Sequence, residues 1–194
     1  MKLNLDLAVA SKQEWLEAVL ADFDSFLQDH CDCERKASAM AMSFVAKYPD
    51  RKEIIPELIE TGIEELEHFK MVYDIMQERG VALQHSIGED PYLKALLKLC
   101  HSGREERFMD RLLIASVVET RGAERFRMVA EAQTDERLQK FYKMLWVSEA
   151  KHGHIFVKMA LNYFPEVTVY ERLRWWVAHE AEILENLEIR AALH

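Results

Sequence analysis

With 194 residues, 49 % of them hydrophobic, and only 6 Gly and 4 Pro, the chain has material for one domain over residues 1–194 with a sizeable core, in a composition that favours helix over sheet. Three cysteines, Cys31, Cys33 and Cys100, exclude a disulfide framework and a Cys-rich zinc site; Met1–Trp15 lacks a signal-peptide pattern and no apolar run approaches the roughly 20 residues of a membrane span, so the expectation is a cytoplasmic protein with no membrane association. The net charge of −9 argues against a general nucleic-acid binder, but the balance is −10 over residues 1–93, +3 over 94–143 and −2 over 144–194, which keeps a local basic face possible.

Ser11-Lys12-Gln13-Glu14 reads as a capping box opening a short helix. A long helical pattern runs from about Phe23 to Tyr48 and stops before Pro49-Asp50; a second runs from about Arg51 to Arg79 and stops at Gly80, with Pro56 marking either its first turn or a kink. Residues 81–103, with Ser86, Gly88, Asp90-Pro91 and Gly103, hold one short helix from Tyr92 to Leu99. A third long helix spans about Arg104 to Ala132, a fourth starts near Thr134-Asp135 and ends before Pro165, and Thr168-Val169-Tyr170-Glu171 reads as a capping box for a last helix toward Ile189. Four long helices, short links within each pair and one long connection between pairs predict an all-α, ferritin-like four-helix bundle with one long crossover and extra N- and C-terminal helices.

Each long helix carries one glutamate where its apolar stripe should continue. The stripes read Phe23, Phe26, His30, Glu34, Ala37, Ala41, Phe44; Leu58, Gly62, Glu65, Phe69, Val72, Met76; Leu112, Ser116, Glu119, Ala123, Phe126, Ala130; and Leu138, Phe141, Leu145, Glu149, His152, Phe156, Met159, Tyr163. Alternating steps of three and four keep each stripe on one helix face. Carboxylates buried alone are very costly, so either a cation offsets them or they are not buried and stand as surface glutamates at helix edges. Glu65-Leu66-Glu67-His68 and Glu149-Ala150-Lys151-His152 are both Glu-x-x-His, an offset that lets the two side chains share an ion. One Glu from each of two helices and a Glu-x-x-His from each of the other two is the ligand pattern of di-iron and di-manganese carboxylate bundles. Glu-x-x-His alone is weak, since 24 glutamates and eight histidines give about one match by chance. The strength lies in the stripe positions and in the matched gaps, 31 residues from Glu34 to Glu65 and 30 from Glu119 to Glu149. Four carboxylates and two neutral imidazoles balance two divalent ions, and that donor set suits iron or manganese. Gly122, unfavourable inside a helix, points either to space for dioxygen or substrate or to close helix packing.

The stretches Asp29-His30-Cys31-Asp32-Cys33-Glu34-Arg35-Lys36-Ala37-Ser38, Glu64-Glu65-Leu66-Glu67-His68-Phe69, Glu119-Thr120-Arg121-Gly122-Ala123-Glu124-Arg125-Phe126 and Ser148-Glu149-Ala150-Lys151-His152 resemble the bacterial tRNA hydroxylases that act on 2-methylthio-N6-isopentenyladenosine beside the anticodon. The resemblance spans about residues 10–190 and implies a non-haem di-iron monooxygenase, with two Fe ions, dioxygen and an external electron donor, which would be an electron-transfer protein or reductase. It places all six metal ligands, Glu34, Glu65, His68, Glu119, Glu149 and His152. It also implies a tRNA anticodon loop as partner, and the basic third helix, through Arg104, Arg107, Arg111 and Arg125, is the candidate footprint, with Arg137, Lys140 and Lys143 beyond it. Arg35 and Arg121 lie close to ligands, where pairing with a neighbouring carboxylate is expected instead. Three other readings compete: a ferritin-like iron oxidation and storage protein, a ubiquinone-biosynthesis di-iron hydroxylase using the apolar side of the last helix (Leu173, Trp175, Trp176, Val177, Ile183, Leu184, Leu187) at a membrane, and a metal-free helical scaffold.

Overall fold

The computed structural model describes residues 6–84 and 90–194, and within them the chain forms α1 (Gln13–Ala21), α2 (Phe23–Lys47), α3 (Ile55–Arg79), α4 (Pro91–Lys98), α5 (Arg104–Ala132), α6 (Glu136–Leu161) and α7 (Glu166–Glu185). No strand occurs among the described residues. Ser86 and Gly88 of the long connection lie outside them. The helices fall into two compact units: α1 to α3 with Ile189–Leu193, and α4 to α7 with the segment before α1 and His194.

Local sequence explains several helix ends. The Asp22 carboxylate accepts from the Ser25 amide at the start of α2, Asp90 accepts from Leu93 with Pro91 in the first turn of α4, and Asp135 accepts from Arg137 and Leu138 at the start of α6. Gly80 ends α3 in the left-handed region (φ 72°), where a residue without a Cβ carries no penalty. Pro56 sits in the first turn of α3 and does not kink it; the helix begins at Ile55, four residues later than expected. Neither expected capping box forms as such. The Ser11 amide and hydroxyl both donate to Glu124, not to the first turn of α1. Helix α7 opens earlier, after Pro165, so Thr168 lies inside it.

In the first unit α2 and α3 are antiparallel: Asp24 near the start of α2 meets Arg79 at the end of α3 (2.7 Å), and the Ser38 hydroxyl donates to the Gly62 carbonyl (2.7 Å) midway. The chain's end closes this unit, where the Trp15 indole donates to the Ala192 carbonyl and the Leu193 amide to Asp29. In the second unit α5 and α6 are antiparallel, as contacts Phe126–Tyr142, Ser116–Gly153 and Phe108–Tyr163 along their length require. Helix α7 buries Val169, Leu173 and Trp176 in this unit; of the side weighed as a membrane surface, Leu173 and Trp176 are thus buried and Trp175, Val177, Ile183, Leu184 and Leu187 are half-buried. No described helix is long and apolar enough to cross a membrane.

Candidate metal centre

In the α2–α3 hairpin the two stripes bring Glu34, Glu65 and His68 together. Each offers one ligand atom within 4.8 Å of the other two. His68 Nδ1 lies 3.4 Å from Glu65 Oε2, the i,i+3 contact that the Glu-x-x-His spacing provides, and 3.6 Å from Glu34 Oε2. The second Glu34 oxygen is held by His30, whose Nε2 is 2.7 Å away on the preceding turn. His30 is fully buried. Its stripe position alone assigns it no role; the i,i+4 spacing to Glu34 is the signal in the sequence that could have done so.

The α5–α6 hairpin repeats the arrangement with Glu119, Glu149 and His152, again within 4.8 Å of one another, and His152 Nδ1 lies 3.2 Å from Glu149 Oε2. All six residues are buried, with exposure from 0 % at His152 to 8 % at Glu119, so none is a surface glutamate or histidine at a helix edge. Each half-site presents two carboxylates and one imidazole. This oxygen-and-nitrogen donor set fits a hard or borderline divalent cation such as iron or manganese. Cys31 adds no thiolate: burial, then the Asp32 and Glu34 carboxylates, push its pKa to about 12, and its thiol lies 3.8 Å from the Phe69 carbonyl.

Two glycines on α5 and α6 differ in what surrounds them. A Cβ built at Gly153 would lie 2.6 Å from Thr120 Oγ1 and 3.2 Å from the Ser116 carbonyl, so helix packing requires glycine there. Gly122, one turn beyond Glu119, is buried, yet a Cβ there would meet nothing within 4 Å. Close packing therefore does not explain Gly122, whose Cβ position faces open space.

The arginines of α5 divide. Arg121 is fully buried, donating through Nε and a terminal nitrogen to both Glu180 oxygens (2.8 and 3.0 Å) and further to Glu124 and the Val9 carbonyl. Burial draws its pKa down, but the bonds to Glu180 and the neighbouring carboxylates outweigh this and hold it above the usual value. Arg125, expected to contact RNA, is buried too, its Nε donating to Ser11 Oγ (3.1 Å); burial draws it down to about 10, so it stays charged at neutral pH. That placement removes it from any surface footprint. Arg104 is exposed, and Arg107 and Arg111 are half-buried. Arg35 pairs with Asp32 (2.8 Å).

An all-α fold whose two hairpins each carry a buried Glu and a buried Glu-x-x-His belongs to the ferritin-like oxygenase class. In agreement, the solved structure titled "Protein 43 with aldehyde deformylating oxygenase activity from Synechococcus" matches with a TM-score of 0.91 and 29 % identity, covering 97 % of this chain and 94 % of that one. The family model described as tRNA-(MS[2]IO[6]A)-hydroxylase (MiaE) matches residues 2–194, and the chain belongs to that family. The tRNA 2-(methylsulfanyl)-N(6)-isopentenyladenosine(37) hydroxylase of Pseudomonas putida is 31 % identical over 193 residues, covering 100 % of this chain and 93 % of that protein. The protein of the same name from Salmonella typhimurium is 30 % identical over 136 residues, 70 % of this chain and 49 % of that protein.

Proposed function

We propose that this chain hydroxylates the isopentenyl group of 2-methylthio-N6-isopentenyladenosine in tRNA, at a di-iron centre ligated by Glu34, Glu65, His68, Glu119, Glu149 and His152. The observation that carries the reading is the pair of buried half-sites, each with two carboxylates and one imidazole, in a chain of this family. Four carboxylates and two neutral imidazoles match the charge of two divalent cations. Bound there, the irons would supply the activation of dioxygen that an unactivated C–H bond demands. The reaction places one oxygen atom of O2 in the C–H bond and releases the other as water, consuming two protons and two electrons from an external electron-transfer protein or reductase.

The chain's own residues have separable tasks. The six ligands would hold the metals, and His30 fixes the orientation of Glu34. Burial of all six keeps bulk water from the reacting groups. The open space at Gly122, on the same face of α5 as Glu119, gives room for the isopentenyl chain. A nucleotide of the anticodon loop is single-stranded and can be splayed out of its stack toward such a site. Arg104, Arg107 and Arg111 remain candidates for phosphate contact. In this reading residues 1–194 act as one functional domain in the cytoplasm.

The test combines metal analysis of protein from iron-replete cells with a reaction of reduced protein, dioxygen and tRNA carrying the isopentenyl modification, read by mass analysis of the nucleosides. The expected result is iron in the protein and a gain of one oxygen atom in the modified nucleoside. An intact, reducible centre with no oxygen gain would overturn the reading in favour of iron oxidation or a lipid hydroxylase.

A further inference from the structure

Helix α6 has two opposite characters. One side carries Glu149 and His152 and is buried; on the other, Lys140, Val147, Lys151 and Lys158 are exposed at helical spacing, with half-buried His154 between the last two and exposed Lys143 at the flank. Between Arg137 and Leu161 the sole acidic residue is the buried ligand Glu149, whereas Arg137, Lys140, Lys143, Lys151 and Lys158 are basic and exposed. This concentration stands out in a chain of net charge −9. It contrasts with α5, where Arg121 and Arg125 are buried and bonded to Glu180 and Ser11. The stripe is not purely charged. Val147 is 62 % and Met144 39 % exposed among the lysines, and Trp146 beside them lies under the Arg127 guanidinium (6.0 Å).

We propose that this outer face of α6, from Lys140 to Lys158, docks the phosphate backbone of tRNA. The inference rests on the tRNA reading above and moves the main docking surface from the α5 arginines, of which Arg125 is buried, to the outer face of α6. Eighteen residues of helix rise about 27 Å, long enough to meet several successive phosphates. Ammonium groups on one face recognise phosphate without reading sequence, which is what positioning an RNA requires. Exposed valine and methionine between them give apolar contact for ribose and base faces, which a merely solvated lysine stripe would not need. Because the ligands lie on the opposite side of the same helix, the stripe grips backbone while the target nucleotide is left to reach the metals from elsewhere in the loop.

The test uses the full chain and an unmodified tRNA transcript, so it does not depend on iron or on hydroxylation, and its failure is separate from a failed oxygen-transfer assay. Lys140→Glu/Lys143→Glu and Lys151→Glu/Lys158→Glu should each weaken transcript binding by at least about tenfold at low salt and flatten the salt dependence by about one unit of slope for each phosphate no longer neutralised. The corresponding Lys→Gln pairs, which keep the helix surface polar, should weaken it less and in the same order. Lys47→Glu/Lys70→Glu, on exposed positions of α2 and α3, makes the same change in net charge and should leave binding within about twofold. Unchanged binding by both α6 pairs, or an equal loss in the α2–α3 control, would overturn the proposal. So would α6-dependent binding to phosphatidylglycerol vesicles with tRNA affinity untouched.

Discussion

The Ser116 hydroxyl donates to the Gly153 carbonyl across α5 and α6 at 2.6 Å, and that contact draws the two ligand helices of this hairpin close together. The same approach leaves no room for a methyl group at Gly153. Thr120 Oγ1, 2.6 Å from the Cβ position, is itself bonded to the Ser116 carbonyl (2.7 Å), so it cannot turn away without losing a hydrogen bond. Gly153→Ala gains up to about 1 kcal/mol of helix propensity but forces overpacking worth about 1–3 kcal/mol, so the denaturation midpoint should fall. Gly122→Ala meets no such obstacle and should raise it, by up to about 1 kcal/mol. Denaturant titration of both variants checks the opposite signs.

Asp110 ties α5 to α7 and to the segment before α5. Fully buried, it accepts from Arg172 (2.6 and 3.1 Å), the Trp176 indole and the His101 amide. Burial pushes its carboxyl up, but the bonds from Arg172 and His101 outweigh this and the net shift is downward from 3.8. A carboxyl depressed in the folded state gives stability that is complete above its unfolded value and lost as pH falls through its folded value. Asp110→Asn should therefore cost about 2–3 kcal/mol near pH 7, reduced from the fully buried case because Arg172 is partly exposed. The gap between variant and unaltered chain should close as pH drops below about 4. Thermal melts at pH 7 and pH 3 test both statements.

A glutamate interrupting an apolar stripe is legible as a buried carboxylate, and the rule has a limit that α7 exposes. Glu180 also sits among apolar positions, between Leu173, Trp176 and Ala181, and is fully buried. Its counter-charge is Arg121, 59 residues away in sequence, and not a metal. Stripe position finds the buried charge; only the Glu-x-x-His spacing and the repeated gap separate a metal ligand from a structural ion pair. The four long helices are legible from periodicity and from Pro49, Gly80 and Pro165. Ser11 misleads because its capping pattern is local while its partner, Glu124, is distant. The destination of Ile189–Leu193 has no sequence signal, since a Trp15 indole bonded to a backbone carbonyl leaves no pattern.

Clustered carboxylates repel when no cation offsets them, so metal should bind the folded chain preferentially and raise its melting temperature. At metal concentrations of about one hundred times Kd the gain is about 2.7 kcal/mol, or about 5–10 °C for a chain of this length. Equal melting temperatures for metal-free and iron-loaded protein would contradict the di-iron reading. Glu149→Ala should lower metal content while leaving the metal-free chain as stable or more so, because one buried charge is gone. Metal analysis and calorimetry on the same samples separate the two effects.

Gly122 allows substrate space to be tested apart from metal binding and from folding. It lies three residues after Glu119, on the same helix face, and its Cβ position is open to 4 Å. If the isopentenyl chain occupies that space, four added carbon atoms should exclude it. Gly122→Leu should then keep its iron, since no ligand is altered, and keep its affinity for tRNA, since the basic stripe of α6 faces away from the ligands. Product formation should fall by about a hundredfold or more, the scale of loss when a reacting group is displaced by about 1 Å. Gly122→Ala, with one added carbon, should lose far less. Gly153→Ala supplies the contrast, because it disturbs helix packing without filling the space, and its turnover should follow its stability. Normal oxygen transfer by Gly122→Leu, with iron content and tRNA binding confirmed, would show that the substrate lies elsewhere and that the space beside Glu119 serves another purpose.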